Sequence, residues 1–411
     1  MKKFFLNSVV SVTFFSLIKF SLNLKIASLL LPSDYGVILL PLIIFSFLDL
    51  LLEGGLHSGI IKYNASKNDL LHILKNKLRL WILFGPLIAV FLIFLDILSE
   101  IKIPALITFL YLIASLFKLS NYFSEAKLIA EGKYIHTEFL NFLVTILTYG
   151  LVILLIPYFE ISGFYFLAML NIMLISVYGI LLNISLRNYI NNQSHSSLRE
   201  LKIFADSVLQ SNYIFVIGAR VDELCASILI NANALGIYTK AKELGTMLGT
   251  FSSKIVSRPW YYIACKLQPK NTSNIYFLSM LCLALTSILL LPFLLYLLSL
   301  VISFLGPNWT KLTDFSIFMA LIFLLYFFVQ FSNSTLLALG FEREQLIIDR
   351  VIIGLKIAVY LLLLLVLLLQ VFSLKIELFF YIEILFRAIN LLLQICLMIW
   401  KRYDLEIKST N

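Results

Sequence analysis

The stretch IYFLSMLCLALTSILLLPFLLYLL, residues 275–298, contains no Asp, Glu, Lys or Arg. A helix crossing the hydrocarbon core of a bilayer needs about 20 such residues. The stretch therefore reads as a transmembrane helix. Just beyond it, LGPNW (305–309) supplies turn-forming residues, and a second apolar run follows near 314–339. The rest of the chain repeats this alternation. Runs lie near 6–31, 36–61, 80–99, 104–124, 137–157 and 163–185. After the polar stretch RNYINNQSHSSLRELK come runs near 203–221 and 236–257, then the two above, then 351–371 and 378–400. The expected fold is all-α: a polytopic membrane protein of about twelve transmembrane helices.

Composition agrees. The chain has 411 residues, 61% hydrophobic and 13% charged, with a mean hydropathy of +0.97. An ordinary soluble domain carries about 25% charged residues. The net charge of +9 does not point to nucleic acid, because the basic residues are spread between apolar runs rather than gathered in a patch. Cys225, Cys265, Cys282 and Cys396 are far apart and form no CxxC pair. Lys2 and Lys3 precede an apolar run, as in a signal peptide. The run continues past Lys25 to Leu31 without a small-residue cleavage site and reads as a retained first helix.

An even number of spans puts both ends on one side, and loop cations choose the side. With the ends in the cytoplasm, the inner segments hold twenty-two of the 32 Lys and Arg, Lys118 and Lys127 among them. The outer loops hold only Lys102, Lys311 and Lys375. The expected topology therefore has both termini in the cytoplasm. Seven cations fall within spans: Lys19, Lys25, Arg220, Lys240, Lys242, Lys356 and Arg387.

The halves share a segment. ASLLLPSDYGV (27–37) reads like ASILINANALGI (226–237), with Gly36 and Gly236 as counterparts. Each copy ends one span, turns, and starts the next. Six spans per half is even, so this is a parallel repeat: two six-helix bundles, 1–198 and 199–411, enclosing a central cleft. The alternative to a repeat is a chance recurrence of a small-residue, turn-forming pattern.

The stretch ASLLLPSDYGVILLPLIIFSFLDLLLEGGLHSGIIK (27–62) resembles the first helical hairpin of the polysaccharide transporter family. These are Wzx-type flippases of lipid-linked oligosaccharides, in the superfamily of the multidrug and toxin extrusion (MATE) antiporters. The matching positions are Ala27, Leu30, Pro32, Asp34, Tyr35, Gly36 and then Gly55-Leu56. In the second half, Val221, Asp222, Gly236, Tyr238, Ala241 and Leu244 follow the family's pattern. Glu223 stands where the family carries a basic residue. FLGPNWTKLTDFSIFMAL resembles the outer loop before the tenth span, and GFEREQLIIDR the inner loop after it. The resemblance implies a MATE-like fold without cofactor. The implied substrate is an undecaprenyl-pyrophosphate-linked oligosaccharide, such as an O-antigen unit, moved between membrane leaflets by alternating access. The implied partners are membrane lipid, a polysaccharide polymerase and a chain-length regulator.

Ionisable groups inside spans cost about 2.5–3.5 kcal/mol each at a helix centre, so each needs a compensating role. Lys19 lies mid-way along the first span and Asp49 mid-way along the second, with Glu53 one turn from Asp49 on the same face. Lys19 and Lys25 can line a cleft that attracts a pyrophosphate headgroup, with Asp49 or Glu53 carrying a coupling proton. Alternatively, Lys19 and Asp49 form a structural ion pair. Arg220, beside Asp222 and Glu223, reads as snorkelling to the interface, as does Lys356. Lys240 and Lys242 suit either the cleft or the interface, and Glu243 can pair with Lys240. Arg387 can pair with Glu383 on its own helix. An excess of cations favours an anionic substrate over a cationic drug.

His57, His72, His136 and His195 show no metal-ligand spacing, so no metal is expected. No GxxxxGK[ST] motif is present. The outer connectors are too short for a catalytic segment, so the chain is not expected to be an enzyme. A drug or metabolite antiporter is the nearest alternative, and a membrane enzyme of glycan assembly a more distant one.

Overall fold

The computed structural model describes residues 18, 20–53, 60, 67–98, 105–131, 133–155, 163–187, 217–218, 220–264, 269–368 and 375–410. Among these residues there are twelve α-helices and no strand. They are α1 (20–28), α2 (Pro32–Glu53), α3 (Lys67–Leu98), α4 (Ala105–Ala130), α5 (Tyr134–Leu155), α6 (Gly163–Arg187), α7 (220–229), α8 (Ala232–Ala264), α9 (Pro269–Leu305), α10 (Ser316–Ala338), α11 (Glu342–Leu368) and α12 (Ile376–Thr410). A 3₁₀-helix, Pro307–Phe315, joins α9 to α10.

Among the described residues, four stretches are long and apolar enough to cross a bilayer by length and composition alone: Pro32–Leu50, Asn271–Leu305, Pro307–Ala338 and Ile376–Lys401. Several other helices carry internal charges, and in α4, α8 and α11 ion pairs offset them, as described below. The polytopic membrane fold expected from the sequence is the one observed.

The helix breaks follow local chemistry. Pro32 opens α2, where its missing N–H removes no helical bond. At the repeat's second copy, Asn231 accepts a 2.9 Å hydrogen bond from the Ala234 N–H and so caps α8. Both copies of the repeat therefore form helix, break and helix. After α10, Gly340 takes φ +80 and its N–H reaches the Leu337 carbonyl, while Phe341 N–H reaches Leu336. This double bond pattern ends the helix through a residue type that tolerates the left-handed conformation.

The chain divides into two compact units. The first is Met1–Val216 with Asn231–Gly236; the second is Ile217–Ile230 with Ile237–Asn411. The boundary expected at 198/199 lies outside the described residues.

In the first unit, polar side chains join α4 to α6. Asn121 donates to the Ile175 carbonyl at 2.9 Å, Ser124 donates to Asn183 at 2.9 Å, and Asn183 donates back to Ser120 at 3.0 Å. Such bonds hold helices together where lipid supplies no hydrophobic drive. Trp81 on α3 donates to Ser115 on α4 at 2.7 Å. Buried Ile26, Leu30 and Leu170 add an apolar cluster against Tyr35, Tyr149 and Ile153.

In the second unit, Gly245 and Gly249 on α8 form a G-x-x-x-G step. A Cβ at Gly245 would lie 2.9 Å from the Met319 carbonyl oxygen, and one at Gly249 2.7 Å from the Tyr326 ring. α8 and α10 thus approach closely along a small-residue stripe. Trp260 and Tyr276 stack on Phe331 and hydrogen-bond to Thr335 and Ser332.

Candidate functional site

Four helices of the second unit bring their charges together. α7 contributes Arg220, Asp222 and Glu223; α8 contributes Lys242 and Tyr238; α11 contributes Lys356; α12 contributes Glu383 and Arg387. Asp222 is fully buried. It accepts from Lys242 Nζ at 2.6 Å, from Lys356 Nζ at 3.3 Å and from the Tyr238 hydroxyl at 2.5 Å. Lys356 also donates to Glu383 at 2.6 Å and to the Gly218 carbonyl at 2.8 Å. Glu383 in turn receives Arg387 at 2.6 Å. Glu223 pairs with Arg220 at 2.6 Å and with Lys242 at 3.2 Å. Taking this many charges out of water is tolerated only because each is hydrogen-bonded to opposite charge.

The two guanidinium groups are the open ends of this network. The Arg220 side chain is 42% exposed and that of Arg387 18%, whereas Lys242 and Lys356 are each at 6%. Arg387 also lies 5.2 Å from the centre of the Tyr326 ring, a cation–π arrangement that orients its fork.

The sequence-derived candidates separate accordingly. Arg220, Lys242 and Arg387 belong to the network. Lys240 is buried on α8 and pairs with Glu243 at 3.0 Å. Lys25 sits exposed on α1 in the first unit. Lys19 lies outside the described residues, so its pairing with Asp49 does too. Asp49 instead pairs with Lys118 of α4, which is also within hydrogen-bond reach of Tyr122. Glu53 lies one turn on, in the field of Lys118, Asp49 and Lys77.

Three cations stand elsewhere than expected. Lys356 does not snorkel. α11 begins at Glu342 rather than near 351, so Lys356 is about 21 Å along the helix axis from its start, and its ammonium turns inward to two carboxylates. Lys118 is not in an inner loop. α4 runs to Ala130, which puts Lys118 at its middle, facing α2. Lys127 also lies within α4, buried and paired with Glu131 at 3.0 Å. In each case the apolar run was shorter than the helix. For Lys127 the i, i+4 spacing to Glu131 was an available signal, whereas Lys118 and Lys356 have no acid three or four residues away and carry none.

This arrangement of helices recurs in solved structures. A multidrug resistance MATE family transporter of the MOP superfamily, in an outward-facing conformation, matches over 97% of this chain and 96% of its own, with TM-score 0.56 and 13% identity. A MATE protein in complex with MaL6 matches over 98% and 97%, with TM-score 0.58 and 14% identity. A MOP superfamily transporter from Pyrococcus furiosus matches over 97% and 96%, with TM-score 0.51 and 14% identity. The fold is therefore that of the MATE transporters. No curated protein matches the chain in sequence. A family model does: residues 26–314 match that of the polysaccharide biosynthesis proteins, and the chain belongs to this family.

Proposed function

We propose that the protein is a flippase. It moves an undecaprenyl-pyrophosphate-linked oligosaccharide, an O-antigen or related surface-polysaccharide unit, across the bacterial inner membrane by alternating access, with both termini in the cytoplasm. Membership of the polysaccharide biosynthesis family and the MATE transporter fold support an exporter within glycan assembly rather than an enzyme.

The observation that carries the reading is the charge balance within the second unit. Arg220, Lys240, Lys242, Lys356 and Arg387 face the four carboxylates Asp222, Glu223, Glu243 and Glu383. One cation is in excess, and the two most accessible cations are guanidinium groups. Arginine forks match phosphate oxygens two at a time, which suits a pyrophosphate headgroup better than a cationic drug. A related fold can carry such a change: the work on the Pyrococcus furiosus transporter describes a binding pocket of reversed polarity that suggests a different function.

Gene deletion tests the reading. Lipid-linked repeat units should build up in the cytoplasmic leaflet while the surface glycan disappears. If no lipid-linked units form at all, an assembly enzyme is the better account. If the glycan is normal, both fail. Restored glycan export from Arg387→Gln protein at normal level would remove the headgroup role of the guanidinium. Lost resistance to cationic compounds, with normal glycan, would favour a drug antiporter.

A further inference from the structure

The outward face of α3 carries charges that the ion pairs of the first unit do not use. Between residues 67 and 95 the sequence holds four Lys or Arg and one acid, Asp69. Lys77 turns inward, within electrostatic reach of Glu53 on α2. Trp81, four residues on, shares that inner side and bonds to Ser115 of α4. Lys75 and Arg79 are exposed, and neither forms an ion pair or hydrogen bond with another described residue.

Helix geometry places these two cations on one stripe with Ile82, Leu83, Leu87 and Val90, all exposed. At 3.6 residues per turn the six positions span about 140° of the helix surface. The charge-free run 80–95 is about 24 Å long, close to the thickness of a hydrocarbon core. Arg79 borders that run, and Lys75 lies about 6 Å further out along the axis. The polar layer of a bilayer is about 5–7 Å deep on each side. Both cations therefore stand at the depth of lipid phosphates, in line with a surface for acyl chains.

An occupant of the whole stripe has to be an amphiphile. A soluble anion leaves the four apolar side chains uncovered, and a zwitterionic lipid brings its own cation to the two basic heads. An i, i+4 pair shares a face, so both heads can converge on one phosphate. The guanidinium then supplies a two-point contact and the ammonium a point charge. On α11, by contrast, Glu344 flanks exposed Arg343 and Asp349 flanks exposed Arg350, whereas the described stripe of α3 carries no carboxylate. We propose that this face of α3 binds an anionic phospholipid, with its phosphate at Lys75 and Arg79 and an acyl chain along residues 82–90. The proposal rests on the membrane fold and is independent of the flippase reading.

The test uses the purified full chain in nanodiscs, with phosphatidylglycerol and phosphatidylcholine as probes, each carrying the same photoactivatable acyl chain. Peptide mapping of the unaltered protein should show residues 82–90 labelled about threefold or more in favour of phosphatidylglycerol. The exposed stretch 288–293 of α9 should take both probes alike. A cation at an anionic lipid surface is worth about fivefold in affinity. Lys75→Gln combined with Arg79→Gln should therefore bring the preference at 82–90 close to one. Lys311→Gln, which removes an exposed cation of the 3₁₀-helix, should leave it unchanged. Equal labelling of 82–90 by both probes in the unaltered protein overturns the proposal. So does a preference that survives the loss of both cations, or one of the same size at 288–293, which would reflect the protein's overall charge rather than this face.

Discussion

Gly36 and Gly236 each lie against the backbone of the other's helix. A Cβ on Gly36 would come within 2.9 Å of the Ala232 carbonyl carbon, and one on Gly236 within 2.7 Å of that of Pro32. Both contacts fall inside the first unit, which includes Asn231–Gly236. The repeated glycine of the sequence is thus one reciprocal helix crossing, with no room for a side chain at either position.

Gly36→Ala and Gly236→Ala should therefore each destabilise the protein by about 1–3 kcal/mol through overpacking. At Gly354 a Cβ would meet nothing within 4 Å. Gly354→Ala should be neutral or gain up to about 1 kcal/mol from helix propensity. Thermal unfolding of the three purified variants separates the cases. Equal melting of all three would mean that the backbones do not touch.

Lys356 bridges carboxylates on two other helices, so its removal leaves Glu383 and Asp222 underpaired in an apolar interior. Lys356→Met should cost about 3–5 kcal/mol. Adding Glu383→Gln should recover a large part of that loss, because the uncompensated charge is gone. A double-mutant cycle on unfolding free energy reads the coupling directly. Additive single effects would show that Lys356 and Glu383 do not interact.

The fold was legible because apolar runs of span length and turn residues are local signals. Eleven of the twelve runs have a helix among the described residues, most of the run near 203–221 lies outside them, and the breaks at Leu31 and Asn231 coincide with the repeat. The charged site was legible only in part. Lys242 and Arg387 could be named from their place inside spans, but their partners come from other helices. No spacing rule gives a partner at a sequence distance set by packing. Lys356 and Lys118 were misread for a further reason. Where a helix continues beyond its apolar run, hydropathy marks the lipid-facing length rather than the helix, and a charge near the run's end appears closer to water than it is. The G-x-x-x-G step at Gly245 and Gly249 was readable, though its facing partners, Met319 and Tyr326, were not.

Outside the apolar stretches, Glu344 at the start of α11 accepts from Lys401 at 3.0 Å. That hydrogen bond holds its carboxyl below the usual glutamate range. A lowered folded-state value means that the pair stabilises the protein above the ordinary glutamate pKa. The contribution disappears as pH falls through the folded value. Because the pair is partly exposed, the effect is small and screened by salt. The melting temperature of Glu344→Gln should sit slightly below that of the parent protein at neutral pH, and the gap should close in acid. A gap that is constant with pH would assign the difference to something other than this ion pair.

The pairing of Asp49 with Lys118 decides between two roles for an acid inside the first unit. A structural pair needs opposite charges on α2 and α4 but not a particular order of them. A coupling carboxylate needs its own position, since the proton must enter and leave at that oxygen. Asp49→Asn should lower the yield of folded protein, because it leaves the Lys118 ammonium with Tyr122 and the more distant Glu53 as its remaining partners. The exchanged double variant, Asp49→Lys with Lys118→Asp, restores one opposite-charge pair across the same two helices. If the pair is structural, that variant should recover both folded yield and surface glycan. The geometry favours this outcome: Lys118 is directly bonded to Asp49 and the two helices pack on one another. Recovery of folding without recovery of glycan would instead assign Asp49 to coupling. The measurement pairs the amount of folded protein in the membrane with the amount of glycan at the surface, in the same cells.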